Sequence, residues 1–314
     1  MQSIKKLEDL VSIVKKNPSM TMAVAAGEDP ATVEAIARCV EDDLLNVILI
    51  GSAEKVEAIA RAHSEAFAGE VEIVHSEDEK DAAYKAVKLV HDGKAELIMK
   101  GLVSTSTLMK AILDKEMGLV PSGGLLTHVA VMEVASYPKL LIVSDAGIIP
   151  NPTMDEKVTI LNHTIDVAHS LGNKMPKAAL ISAAEKINFR LQSSIDAAVI
   201  KAMADRKQIE GAIVDGPLAL DVSLSKESCR IKGLESPIDG EADILIFPNI
   251  ETANTFYKSI TILADGQSAS IVMGCSVPIV LSSRADDDDT KFYSIVLAAH
   301  LAAQKSKSGA SGFE

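Results

Sequence analysis

One arginine and two hydroxyls, Ser282-Ser283-Arg284, follow a short apolar run and precede four consecutive aspartates, Asp286 to Asp289. A guanidinium is permanently charged and presents a planar fork of donors that matches phosphate or carboxylate. Beside serine hydroxyls it can hold an anion and stabilise negative charge that develops on a reacting oxygen. The chain has only six arginines against twenty-five lysines. The same residues also have a bland use. Carboxylates accept hydrogen bonds from the free N–H groups at a helix start, and an exposed Arg284 ion pair would contribute little.

Two further groups could do chemistry. Lys100-Gly-Leu-Val-Ser-Thr-Ser-Thr107 combines a cation, a glycine turn and a hydroxyl cluster ahead of a helical pattern, which is the makings of an anion cradle. Hydroxyl residues are also ordinary helix caps, and the Walker spacing is absent. Asn254 and Lys258 stand four apart on a predicted helix and so share a face. Asp145 closes a predicted strand, Leu140 to Val143, and could face a cleft. Asp145 to Glu156 carries two prolines and a glycine and must be a loop, with Thr153 and Glu156 spaced as a capping box.

The elements that position these residues alternate along the whole chain. Strands are expected at Met22–Ala25, Val47–Ile50, Val71–Val74, Leu97–Met99, Leu140–Val143, Ala178–Ile181, Ala212–Val214, Ile244–Phe247 and Val277–Leu281, with amphipathic stretches such as Ala31–Val40 and Asp81–Val90 between them. The strand ending at Val214 should stop in a sharp turn at Gly216-Pro217. This pattern predicts an α/β protein with mostly parallel sheets, whose ligands bind outside the carboxyl ends of strands. A length of 314 residues favours two domains.

Composition excludes several classes of function. A net charge of −13 with 3% aromatics and no tryptophan disfavours nucleic acid. An anionic ligand would have to be held by local cations, for which Arg284, Lys100, Lys232 and Lys258 are the candidates. No apolar run approaches a membrane span, and the N-terminus mixes both charge signs at helical spacing, so a cytoplasmic protein beginning with a helix is expected. Cys39, Cys229 and Cys275 form no CxxC pair and the seven histidines no HExxH, so neither a disulfide framework nor a metal site is expected.

Taken in order, the motifs resemble the phosphate acetyltransferase and phosphate butyryltransferase family, most closely its butyryltransferase branch. The resemblance spans nearly the whole chain. It rests on Met99-Lys-Gly-Leu-Val-Ser-Thr, Leu126-Thr-His-Val-Ala-Val-Met-Glu133, Asp145-Ala-Gly-Ile-Ile-Pro-Asn-Pro152, Asp215-Gly-Pro-Leu-Ala-Leu-Asp221, Pro248 to Lys258, and Pro278-Ile-Val-Leu-Ser-Ser-Arg-Ala-Asp286. It implies a metal-free, reversible reaction of acyl-CoA with phosphate to give acyl phosphate and coenzyme A, the latter a substrate and no cofactor permanently bound. It also implies a homo-oligomer of two three-layer α/β/α domains, residues 1–135 plus 290–314 and residues 136–289, with the active-site cleft between them.

Carried over by motif, Ser283 would donate to the oxyanion or sulfur, and Arg284 would hold phosphate. An aspartate would accept the coenzyme A thiol proton. In acetyltransferases that aspartate lies seven residues after the serine, which here is Thr290, so Asp289 is the choice and Asp286 the alternative. Lys100, Gly101, Ser104, Thr105, His128, Asn254, Lys258 and Ser282 complete the expected substrate contacts. Family members commonly carry an arginine just before Leu125, where this chain has Val120-Pro-Ser-Gly-Gly124. A phosphate acetyltransferase using acetyl-CoA, a non-catalytic acyl-CoA-binding paralogue and, by shared architecture, a hydroxy-acid dehydrogenase are the alternatives.

Overall fold

The computed structural model describes residues 4–16, 20–281 and 286–307. The chain divides into two compact units, one of Leu7–Leu126 with Ser268–Glu314 and the other of Met1–Lys6 with Thr127–Gln267. The described residues from Ser268 onward thus group with Leu7–Leu126. The reason lies in the pairing described next.

The first unit builds on β1 (Thr21–Ala25), β2 (Asn46–Gly51), β3 (Glu72–His75) and β4 (Leu97–Lys100). They lie in the order β3-β2-β1-β4 and pair in parallel. The chain steps outward through α1 (Pro30–Glu41), α2 (Ala53–His63) and α3 (Glu65–Glu70), then crosses back to β4 through α4 (Glu79–His91). Right-handed crossovers therefore put α1 to α3 on one face and α4 on the other. The outward-to-return reversal falls between β1 and β4. Helix α5 (Thr105–Ile112) follows β4.

In the second unit, β5 (Thr127–Glu133) runs antiparallel to β6 (Leu141–Ser144). Beyond β6 the order is β9 (Ile244–Ile246), β7 (Lys177–Ile181) and β8 (Ile213–Leu218), all parallel. Helix α6 (Met154–Ser170) opens on the expected capping box, with Thr153 accepting from the Glu156 N–H and Glu156 from the Thr153 N–H. The helices α7 (Gln192–Asp205), α8 (Leu220–Leu224), α9 (Lys226–Lys232) and α10 (Ile250–Leu263) complete the unit. The core gathers Ala130, Met132, Val143 and Leu245 from the strands, Phe247 just past β9, and Tyr257 from α10.

The returning segment adds β10 (Gln267–Met273), β11 (Ile279–Val280) and α11 (Asp288–Lys307). Strand β11 pairs in parallel with β4 and antiparallel with β10, which is why residues from 268 join the first unit. A short preceding helix, Leu7–Val14, packs on α11. Helix α11 is buried almost all round, from Thr290 and Phe292 to Leu301 and Ala302, because it lies against α1, that N-terminal helix, β4 and β11.

Three strands differ from expectation. Strands β5 and β10 carry the antiparallel pairings and fall outside a strand-helix alternation, so a reading tuned to parallel units passes over them. Strand β8 does not stop before Gly216-Pro217 but continues to Leu218, with an irregular register opposite Ala179 and Ile181. It is the outermost strand of that order, where a proline deprives no inner neighbour of a donor.

Candidate active site

The loop after β4 is where the first unit concentrates expected substrate contacts. Lys100 is buried, and its ammonium donates to the carbonyls of Gly101 and Val103 at 3.2 and 3.5 Å. Gly101 and Leu102 donate their N–H groups to Ala25 and Ala26 at 2.8 Å, so β4 stays zipped to the end of β1 beyond both strands. A side chain at Gly101 would place its Cβ 2.1 Å from the Ala26 carbonyl oxygen, so only glycine allows this approach. Ala26 itself sits at φ 58°, in the left-handed region that non-glycine residues seldom adopt. Strain of this kind concentrates at functional sites, and this one stands where the strand order reverses.

Helix α5 begins one turn further on. Ser104 caps it, accepting from the Thr107 N–H at 3.1 Å, and its own N–H donates to Glu79 at 3.3 Å. Its hydroxyl lies 2.7 Å from that of Thr107, while Thr105 is exposed. The capping alternative therefore describes Ser104, and a carboxylate from α4 occupies part of the cradle. Glu79 gave no signal in the sequence because it arrives from 25 residues away.

Ser282, Ser283 and Arg284 lie outside the described residues. Beyond them, Asp287 caps α11, accepting from the Thr290 N–H at 2.7 Å. Asp289 accepts from Arg38 of α1 at 2.7 Å, and the same guanidinium lies 3.6 Å over the Phe292 ring. Lys232, a candidate cation in the sequence, is instead held by Glu185 and Asp221.

The second unit gathers His128, Asn254 and Lys258 around the carboxyl end of β6. Because β5 runs against β6, His128 stands across from Asp145. The Asp145 carboxylate is buried and accepts from the N–H groups of His128 at 2.9 Å and of Gly147 and Ile148 at 2.8 Å. It does not face a cleft, as the sequence suggested, because these N–H groups turn it inward. An aspartate followed by small residues after a strand signals such a turn, so this fold-back was legible in principle. Ser144 donates its hydroxyl to the His128 carbonyl at 2.5 Å. Asn254 donates to the Ala146 carbonyl at 3.0 Å, and Tyr257 meets the imidazole edge-on with centroids 6.3 Å apart. Lys258 is half-buried, its ammonium 5.0 Å from the Tyr257 ring centroid. Sequence reasoning missed Ser144 and Tyr257. A separate cavity of about 580 Å³ in this unit has the buried Lys157–Asp196 ion pair, 2.6 Å, in its wall.

Residues 76–299 match the family model described as phosphate acetyl/butaryl transferase. The chain belongs to this family. Among curated phosphate acyltransferases it is 41% identical to the phosphate butyryltransferase of Clostridium acetobutylicum, covering 96% of this chain and 100% of that one. It is 39% identical to the phosphate acetyltransferase of Thermotoga maritima, covering 94% and 99%. Among solved phosphotransacylases, a branched-chain phosphotransacylase from Enterococcus faecalis V583 superposes with a TM-score of 0.82 at 32% identity, covering 90% of this chain and 99% of that one. The mostly parallel α/β architecture is therefore that of the phosphotransacylases.

Proposed function

We propose that this protein catalyses reversible transfer of a short-chain acyl group such as butyryl between coenzyme A and inorganic phosphate. The observation that carries the reading is the match to phosphate butyryltransferase over essentially the full length of both chains. A phosphate oxygen attacks the thioester carbonyl carbon, the carbonyl oxygen gains negative charge, and the C–S bond then breaks to release the thiolate. Ser283 donates to the oxyanion or the leaving sulfur, and Arg284 holds phosphate through two parallel hydrogen bonds. In the reverse direction an aspartate takes the thiol proton, since the thiolate is the nucleophile. Asp289 serves once its pair with Arg38 opens, and Asp286 is the alternative. Comparing the D289N and D286N variants in the acyl-phosphate-to-CoA direction assigns the base.

Lys100, Gly101, Ser104, Thr105, His128, Asn254, Lys258 and Ser282 are proposed to line the substrate path. The buried free thiols of Cys39, Cys229 and Cys275 suit a reducing cytoplasm, and no described helix is long and apolar enough to cross a membrane. A homo-oligomer is part of the same proposal, supported by strongly exposed apolar side chains such as Phe189, Ile262 and Leu263.

The test is phosphate-dependent release of free coenzyme A from butyryl-, propionyl- and acetyl-CoA, followed with a thiol reagent. Release is expected, fastest with butyryl-CoA. No release from any of the three would overturn the proposal and favour a paralogue that binds acyl-CoA without turnover, a reading motivated by Val120-Pro-Ser-Gly-Gly124 standing where family members commonly carry an arginine.

A further inference from the structure

We infer that Asp145 is a positioning residue that fixes the His128 imidazole, an inference that rests on the reading of His128 as a substrate contact. Both backbone polar groups of His128 are held by consecutive residues at the end of β6. Its N–H donates to the Asp145 Oδ2, and its carbonyl accepts from the Ser144 hydroxyl. The other carboxylate oxygen, Oδ1, gathers the N–H groups of Gly147 and Ile148 and so folds residues 146–148 back over the ring. Gly147 lies so close that a Cβ there would meet the imidazole Cδ2 at 3.2 Å.

Asn254 closes the arrangement from α10 by donating to the Ala146 carbonyl, and Tyr257, three residues further along that helix, meets the ring edge-on. A single carboxylate thereby sets the backbone that carries the imidazole, the loop that lies on one side of it, and the loop's link to the helix bearing Lys258. The carboxylate is 3% exposed, so an amide in its place cannot relax into solvent. An Asp145→Asn side chain keeps the shape but turns an NH₂ toward either the His128 N–H or the two loop N–H groups. One side of the arrangement must then open.

A role confined to stability would lower the melting temperature and leave the kinetics of the folded enzyme alone. The test compares wild type with Asp145→Asn, His128→Ala and the double variant at a temperature where circular dichroism shows all to be folded. Asp145→Asn is expected to raise KM for butyryl-CoA or phosphate by about tenfold with a smaller change in kcat, and the double variant to match His128→Ala within about twofold, because residues acting as one unit are not additive. An unchanged KM, or effects that multiply in the double variant, would overturn the inference.

A second readout needs no turnover. The ¹⁵N–¹H signals of the His128 ring in histidine-labelled protein are expected to move in Asp145→Asn and also in Asn254→Ala, which loosens the same loop. Ring signals that stay in place would overturn the inference. Where the wild type releases no coenzyme A, the proposed reaction fails, and these spectra decide the positioning role alone. Should Asp145→Asn not fold, Asn254→Ala carries the test.

Discussion

The chemistry proposed for this enzyme turns on Ser283 and Arg284, and their residue types make separable predictions. Ser283→Ala should lower kcat by about 10²–10³-fold, the cost typical of deleting one preorganised oxyanion donor. Arg284→Lys should be nearly as damaging as Arg284→Ala, because an ammonium keeps the charge and loses the planar fork. Steady-state assays of both variants check this, and near-normal rates would remove the pair from the site. Ser283 and Arg284 were singled out by the order of motifs alone. The environment of Asp145 and Asp289 was not. Asp289 finds its partner 251 residues earlier in the chain, and Asp145 is defined by which N–H groups the β5–β6 pairing brings to it.

Among the elements, α6 and α7 are joined by a buried salt bridge, Lys157 to Asp196, with side chains 8% and 5% exposed. Gln192 donates to the second Asp196 oxygen at 2.7 Å, so the carboxylate is engaged at both ends. Lys157→Met alone should destabilise the protein by about 3–5 kcal/mol because it strands a buried carboxylate. Lys157→Met with Asp196→Leu should recover most of that loss, as replacing both charges of a buried pair is often close to neutral. Urea denaturation measures both, and equal destabilisation would show that the pair does not act as a unit. Nothing in the local patterns of α6 or α7 announces this contact. Their amphipathic spacing and the Thr153–Glu156 capping box are local and were legible, whereas the pairing of two residues 39 positions apart on different helices needs the packed sheet.

For the molecule as a whole, acidity governs how stability responds to pH. Glu241 is held by Lys226 and Lys177, and its carboxyl titrates at about 2 in place of the ordinary 4.5. Lysine partners also lower the carboxyls of Asp81, through Lys85, and Asp221, through Lys232. A depressed folded-state pKa contributes stability that is fully present above the unfolded value and lost as pH falls through the folded one. The melting temperature should therefore drop between pH 4.5 and 2, and Glu241→Gln should flatten part of that slope. Glu241 and Lys226 are well exposed, so added salt should flatten it further. A thermal-melt series against pH, with and without salt, checks the window, and an unaltered slope in Glu241→Gln would remove this residue from the account.

The sequence by itself determined the alternation of strands and helices, the loops at strand ends and the family, because periodicity, capping and turn chemistry are local and motif order survives in one dimension. Only the tertiary structure decided that β5 pairs antiparallel with β6 and β10 with β11, that residues from 268 return to the first unit, and that Asp145 folds inward onto His128. Those outcomes depend on which strands become neighbours. Burial and hydrogen-bond satisfaction across the assembled sheet settle that choice, and no short stretch of sequence encodes it.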